Sequence, residues 1–358
     1  MKFEILIPVA KPKLPTFKDL KPLLESIDST RHYTNGGPLL KQYESELASY
    51  FEVEEERVVV LANATLALQG CVQISDRMKW VTQDFTFAAS GLAIYQAGKE
   101  LILSDVCEDS WQLDITKIKK LLDWQNFGIM PVLPFGSPLD LNKWLDFDHV
   151  VVDAAASLGA PQISLSNIPP HWKIVFSTHA TKVLPSGEGG FVVCGSKEEA
   201  GKLRSWSNFG FSAARHSEMI GTNAKMSEYL AAVGLTSFRS RKLEAASWKQ
   251  VNDFALQIDK TSNFHSIISK LPGYRPYWIQ QFEDIKTRNR VEKIFFENGI
   301  QTRRWWERPL SKMPAFAKAQ SLGSRVSLCL SETTLGLPMY RDLKKSDFKF
   351  IHNIMEQI

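Results

Sequence analysis

Lys182 and Asp153 are the residues of this chain whose types and spacing could do covalent chemistry. Asp153 ends the apolar run His149-Val-Val-Val-Asp153. Lys182 follows the next such run, within Ser177-Thr-His-Ala-Thr-Lys-Val-Leu-Pro-Ser-Gly-Glu-Gly-Gly190. A primary amine can condense with the aldehyde of pyridoxal 5′-phosphate, and a carboxylate can pair with the protonated pyridine nitrogen of that cofactor. The same lysine could equally be one solvated base in a glycine-rich loop, and the pair alone does not decide.

Three further segments bear on the choice. Asn63-Ala-Thr-Leu-Ala-Leu68 follows an apolar run and opens a helix, where free N–H groups and the helix dipole suit a phosphate, although Asn and Thr are also ordinary helix caps. In Gln83–Ser90, Phe87 could stack on a flat cofactor ring or simply pack in the core. Ser177 could bind a phosphate while Lys182 reaches the aldehyde. The histidines form no HxxxH, HExxH or paired Cys/His spacing, so no metal site is expected, and GxSxG, Walker and GxGxxG motifs are absent.

These residues need a scaffold, and the chain supplies its pattern. Short, continuous, β-branched runs recur at 57–61, 79–82, 100–104, 128–133, 149–153, 173–177 and 190–194. Such runs read as strands buried on both faces of a largely parallel sheet, with crossover helices at 64–74, 86–97 and 114–124. Ligands of such sheets bind beyond the carboxyl ends of the strands, where Asp153 and Ser177 lie. Helices are expected at 17–27, 40–51, 197–205, 227–238, 239–271, 286–298 and 344–358, and strands at 274–280 and 325–330. The organisation is therefore α/β, with a large domain over 1–239 and a smaller α+β domain over 240–358.

Composition agrees with an ordinary globular protein of 358 residues, 44% hydrophobic and 23% charged. A net charge of +4 gives no reason to expect nucleic acid or membrane as a partner. Cys71, Cys107, Cys194 and Cys329 form no CxxC pair, and no apolar run approaches the roughly 20 residues of a membrane span. A cytoplasmic location is the expectation.

Taken in order, the segments resemble the DegT/DnrJ/StrS family of fold-type I, pyridoxal phosphate-dependent nucleotide-sugar aminotransferases. Residues 34–52 are similar to that family's G-P-x-v-x-x-f-E-x-e-f-A-x-y opening, Asn63-Ala-Thr-Leu-Ala-Leu68 to N-G-T-x-A-L, and Thr86-Phe-Ala-Ala-Ser90 to T-F-x-A-t. Pro131-Val-Leu-Pro-Phe-Gly-Ser-Pro138 is similar to P-V-H-L-Y-G-x-P, and Val152-Asp-Ala-Ala-Ala-Ser-Leu-Gly159 to E-D-A-A-Q-A-x-G. Ser177, Lys182 and Gly187-Glu-Gly-Gly190 match S-F-x-x-x-K…G-E-G-G, and 221–234 resembles G-Y-N-Y-R-M-S-E-x-Q-A-A-x-G.

The resemblance implies a fold-type I enzyme with a seven-stranded, mostly parallel sheet. Lys182 would hold the cofactor and move a proton between the substrate carbon and the cofactor. Asp153 would pair with the pyridine nitrogen and Phe87 would stack on the ring. Ala64, Thr65 and Ser177 would bind the phosphate, joined by Asn223 from a neighbouring subunit, which makes the chain a homodimer with shared active sites. Glutamate would give the amino group to a nucleotide-linked keto-deoxysugar, with Tyr33, Asn35, His179 and Trp305 as sugar or phosphate contacts. A free keto-sugar or cyclitol as acceptor, or a non-catalytic protein on the same fold, are the alternatives. Departures from the pattern gather where the sugar would lie. Ala156 replaces a glutamine, Lys225 an arginine, Thr222 and Ala224 two tyrosines, and Ser311 the histidine of P-L-H, while Leu133, Phe135 and Ser137 replace polar residues.

Overall fold

The computed structural model describes residues 6–212, 215–261 and 270–357. All seven apolar runs form strands: β1 (Val58–Leu61), β2 (Lys79–Gln83), β3 (Glu100–Ser104), β4 (Gly128–Met130), β5 (Val151–Asp153), β6 (Lys173–Ser177) and β7 (Gly190–Cys194). An eighth, short strand, β9 (Gln320–Ser321), adds to the edge beside β3. One half of the sheet has the order β1-β7-β6-β5 and the other β4-β2-β3-β9. Bridges from Ile129 to Val150 and from Val132 to Asp153 link β4 to β5 across the two halves.

The continuous apolar pattern follows from burial on both faces. Val58, Val60, Val152, Ile174 and Phe176 belong to one core, whereas Val59, Leu61, Val151, Val175 and Val192 belong to another. Alternate side chains of a strand point to opposite faces, so both faces must be apolar. Most pairings are parallel, but β7 runs antiparallel to both β1 and β6. A parallel pair needs a long crossover, whereas an antiparallel pair can be joined by a short return. That return, between β6 and β7, carries Lys182.

Helices α1 (Phe17–Thr30), α2 (Pro38–Phe51), α3 (Ala64–Gln73), α4 (Ala88–Gln96), α6 (Lys197–Ser207) and α7 (Glu228–Arg239) surround the sheet. Side-chain caps fix several of them: Asn63, Ser196 and Ser227 accept hydrogen bonds from Leu66, Glu199 and Leu230 N–H groups. The expected helix over 114–124 is instead a single turn, α5 (Ile115–Ile118), and a 3₁₀ turn (Trp124–Asn126). The left-handed Asp123 (φ 58°) breaks the segment between them.

The C-terminal part holds α8 (Arg241–Thr261), β8 (Trp278–Gln281), α9 (Ile285–Glu297), α10 (Arg325–Thr333), β10 (Thr334–Leu337) and α11 (Lys345–Met355), with β8 antiparallel to β10. The chain start joins this part: Ile7 bridges Ile300, and Met339 N–H donates to Val9 O at 3.1 Å. Among the described residues no helix is long and apolar enough to cross a membrane.

Residues 325–330 are helical, not the strand their alternating Val326, Leu328 and Leu330 suggest. The buried carboxylate of Asp105, just beyond β3, explains the difference. It accepts hydrogen bonds from the N–H groups of Val326 (3.0 Å) and Ser327 (2.8 Å) and from Ser327 Oγ (2.7 Å). An acid at that point satisfies the first free N–H groups of a helix and its dipole. Val326 and Leu330, one turn apart, are then buried while Leu328 is exposed. Replacing Asp105 by alanine should cost about 3 kcal/mol of stability. Asp105→Asn, which keeps an acceptor, should cost less, and urea unfolding of both variants measures it.

Candidate active site

The return from β6 to β7 is tied down at both ends. Thr178 N–H donates to Gly189 O at 3.0 Å, Ala180 N–H to Gly187 O at 2.8 Å, and Lys182 N–H to His179 O at 2.8 Å. Beneath it, Thr178 Oγ1 and Ser186 Oγ lie 2.6 Å apart and buried. Lys182 is thus carried on a fixed loop, half-buried, with Nζ donating to Tyr277 Oη at 2.8 Å. Tyr277 immediately precedes β8, so a residue distant in sequence holds the amine.

Asp153 ends β5 beside β6. Its carboxylate is buried and accepts hydrogen bonds from Ser90 Oγ at 2.8 Å and from Ala155 N–H at 3.1 Å. Burial raises its pKa above the ordinary carboxylate value, against the lowering pull of Ser90, Ala155 N–H and the nearby charge of Lys182. Among the described residues it has no salt-bridge partner. A buried acid of this kind leaves room for a cationic ring nitrogen. Ser90 lies on α4, whose N-cap residue is Phe87, and the Phe87 side chain is 63% exposed, an open face beside the strand tips.

Strand pairing sets Ser177 opposite Gly190, and Gly190 opposite Leu61. Ser177 therefore shares one end of the sheet with the start of α3. A β-carbon at Gly190 would lie 2.6 Å from Ala64 N, so only glycine leaves space there. The N–H groups of Ala64 and Thr65, at the first two helical positions, have no carbonyl four residues back within the helix. A helix N-terminus, a hydroxyl and a glycine floor make a cradle for an anion. Lysine, buried acid, exposed aromatic face and anion cradle together fit pyridoxal phosphate.

Aromatic side chains wall the space next to Lys182. Phe135 stacks on Trp306 (4.2 Å between centroids) and meets Tyr277 edge-on at 5.6 Å, while Trp305 meets Tyr277 at 5.2 Å. Phe135 has φ 51°, a left-handed backbone costing an L-residue about 1 kcal/mol. Trp305 can enter because a β-carbon at Gly336 would lie 2.2 Å from its Nε1. Trp305 lines a small pocket with Lys182, Tyr277 and Trp248. Ser311, at the family-histidine position, instead binds the buried Asp84 through N–H and Oγ, both at 2.7 Å.

The other expected residues are spread more widely. His179 borders the lysine loop, with Nδ1 3.0 Å from Thr181 Oγ1 and Nε2 3.5 Å from Glu188. Asn35 lines a separate, open groove with Arg204, Phe209 and Lys225. Tyr33 is 45% exposed and stacks near Tyr229. Asn223 is exposed and bridges Asn208, in a segment whose Ala224 O accepts from Ala62 N–H beside β1. Sequence reasoning missed Ser90 and Tyr277. Ser90 closes a segment already singled out, four residues after Thr86, so its helical face could have been read. Tyr277 carries no local signal.

Comparison with known proteins agrees with this geometry. The model of the DegT/DnrJ/EryC1/StrS aminotransferase family matches residues 17–356. The dTDP-4-amino-4,6-dideoxy-D-glucose transaminase of Shigella dysenteriae is 31% identical over 63% of either chain, a span just under two-thirds of that enzyme. GDP-perosamine synthase of Caulobacter vibrioides is 24% identical over 98% of both chains. Among solved structures, a PLP-dependent aminotransferase of Bacillus cereus superposes with a TM-score of 0.89 at 24% identity, over 98% of this chain and 100% of that one. DesI, crystallised with its TDP-sugar product, gives 0.87 at 22% identity, over 100% and 93%. With lysine, acid and anion cradle gathered at one end of the sheet and the family model matched almost end to end, the chain belongs to the DegT/DnrJ/EryC1/StrS aminotransferases.

Proposed function

We propose that this enzyme moves an amino group from glutamate to the keto group of a nucleotide-linked deoxysugar. The observation that carries the reading is the half-buried Lys182 amine, held by Tyr277 beside an aromatic-walled space with the buried Asp153 nearby. The names of the full-length relatives, which act on dTDP- and GDP-linked amino sugars, support the acceptor class.

Pyridoxal phosphate, when bound, supplies an electrophilic aldehyde and a ring that accepts electrons. Lys182 Nζ would hold the cofactor, and as a free amine it would hold or return a proton at the substrate carbon. Tyr277 Oη accepts from Nζ while the amine is free and keeps it aimed. Asp153 would keep the ring nitrogen protonated, and Ser90 and Ala155 N–H orient its carboxylate. Ala64, Thr65 and Ser177 would hold the phosphate, and Phe87 would face the ring. Trp305, backed by Trp306 and the buried Phe135, excludes water and would offer a flat face to a hexose. Tyr33, Asn35 and, at the loop edge, His179 are the polar contacts of this reading.

We infer a homodimer in which Asn223, exposed on its own chain, reaches a neighbour's phosphate. We also infer a division into 1–239 and 240–358, with residues 6–9 associated with the smaller unit. The reducing cytoplasm fits four cysteines that form no disulfide among the described residues.

Lys182→Ala should abolish turnover and the visible absorbance change on adding glutamate, while Tyr277→Phe should retain cofactor and lose roughly 10-fold or more in kcat. Nucleotide-linked keto-sugars should be aminated in preference to free ketoses and cyclitols. A cofactor-loaded enzyme silent to every amino donor would contradict the proposal. If sites are shared, mixing Lys182→Ala chains with Asn223→Ala chains should recover activity that neither pool has, because one site of each mixed dimer is intact. No recovery after verified subunit exchange would leave the sites unshared.

Asp153 gives a pH signature. Its pKa is raised on folding, so the folded state binds this proton more tightly than the unfolded state. Its contribution to stability therefore falls as pH rises from the unfolded-state value through the folded value, and the penalty is full above that. Cofactor-free Asp153→Asn should melt higher than wild type at neutral pH, with the gain shrinking toward about pH 4, and should bind the cofactor more weakly. Thermal melts across that range would refute the reading if the gain were absent or constant.

A further inference from the structure

The rim of the sheet opposite Lys182 brings two imidazoles together. His149 precedes β5 and His171 precedes β6, and the parallel pairing of Val151 with Lys173 places them side by side. Their rings stack with centroids 4.6 Å apart and planes within 4°. With Asp148 they form a group whose ligand atoms all lie within 4.8 Å of one another. Asp76, in the loop before β2, adds Oδ1 at 3.4 Å from His149 Nε2, and Asp148 Oδ2 lies 3.3 Å from the same nitrogen. The two histidines are too far apart in sequence for any ligand motif, and only the strand register unites them.

The nitrogens themselves call for a ligand. The His149 ring is buried, and its Nδ1 is held 2.9 Å from Ser75 Oγ. Its Nε2 faces two carboxylate oxygens, Asp148 Oδ2 and Asp76 Oδ1. Among the described residues, His171 Nδ1 is buried without a hydrogen-bond partner, 3.8 Å from Glu199 Oε1. Arg77 is a cation already present: Nη2 donates to Asp148 Oδ2 at 3.1 Å and Nε lies 3.6 Å from Asp76 Oδ1. Asp76, Asp148 and Glu199 stand there against Arg77, Lys99 and Lys173, so the rim is balanced in charge before any ion binds.

We propose that Asp148, His149 and His171, with Asp76 within reach, bind a divalent transition metal of the zinc class. Two imidazoles, carboxylate oxygen and water are the ligand set such borderline ions prefer. Ser75, on His149 Nδ1, serves as the outer contact that fixes a ligating ring. Binding requires the stacked rings to tilt so that their lone pairs converge, and Arg77 to shift to the outer carboxylate oxygens. The ion would clip the starts of β5 and β6 to the loop before β2, far from the chemistry at the other ends of the strands.

The test is titration of the cofactor-loaded, full-length protein with Zn²⁺ by calorimetry and with Co²⁺ by visible absorption. The expected result is one saturable site per chain, cobalt bands of mixed nitrogen and oxygen coordination, and a melting temperature raised by metal. His171→Ala and Asp148→Asn alter partly exposed side chains and avoid the buried His149; each should weaken binding about 10-fold or more. Arg77→Ala, which removes the competing cation, should tighten it. All three variants should keep the cofactor absorbance of the parent. The proposal is overturned if wild type shows no saturable binding, or if His171→Ala and Asp148→Asn bind as wild type does.

Discussion

A carboxylate buried without a cation of its own is an unstable arrangement in a protein interior, and the site around Asp153 depends on maintaining one. β5 carries Asp153 to the end of the sheet, α4 brings Ser90 Oγ to 2.8 Å, and the local turn offers Ala155 N–H. These contacts orient the oxygens but do not cancel the cost of burial, so the acid keeps a raised affinity for a proton or a cation. A pyridinium ring is the partner that this arrangement fits. The antiparallel β7 and its hydrogen-bonded return then place Lys182 near the same carboxylate, and the Gly190 floor opens the anion cradle beside it.

Much of this was legible in the sequence because both-face burial leaves a strong mark. Residues 149–153 and 173–177 are apolar without alternation, and the two cores that take Val151 and Val152 to opposite faces are the reason. Lys182, Asp153, Ser177 and Ala64 could be read because each lies within a few residues of a strand end. The same logic failed where a contact distant in sequence decides the local structure. Residues 325–330 alternate like a strand, yet the carboxylate of Asp105 starts a helix there. Tyr277 was invisible as a partner of Lys182 for the same reason: nothing near it in sequence points to the lysine loop.

The departures from the family pattern take on physical meaning around Phe135. This residue stands where the family has a tyrosine, is held in a left-handed turn, and stacks on Trp306 against Tyr277. Polar groups read from family motifs are thus exchanged for an aromatic wall on one side and a tyrosine hydroxyl on the other. Ser311 belongs to the same exchange, since its partner is the buried Asp84.

The central claim is that Lys182 is the residue that bonds the cofactor. Borohydride reduction of the pyridoxal phosphate-loaded enzyme, followed by proteolysis and peptide mass spectrometry, tests it directly. One phosphopyridoxyl group per chain is expected, on the peptide containing Lys182 and on that lysine. A modified lysine elsewhere, or no reducible linkage in a protein shown to bind the cofactor, would contradict it.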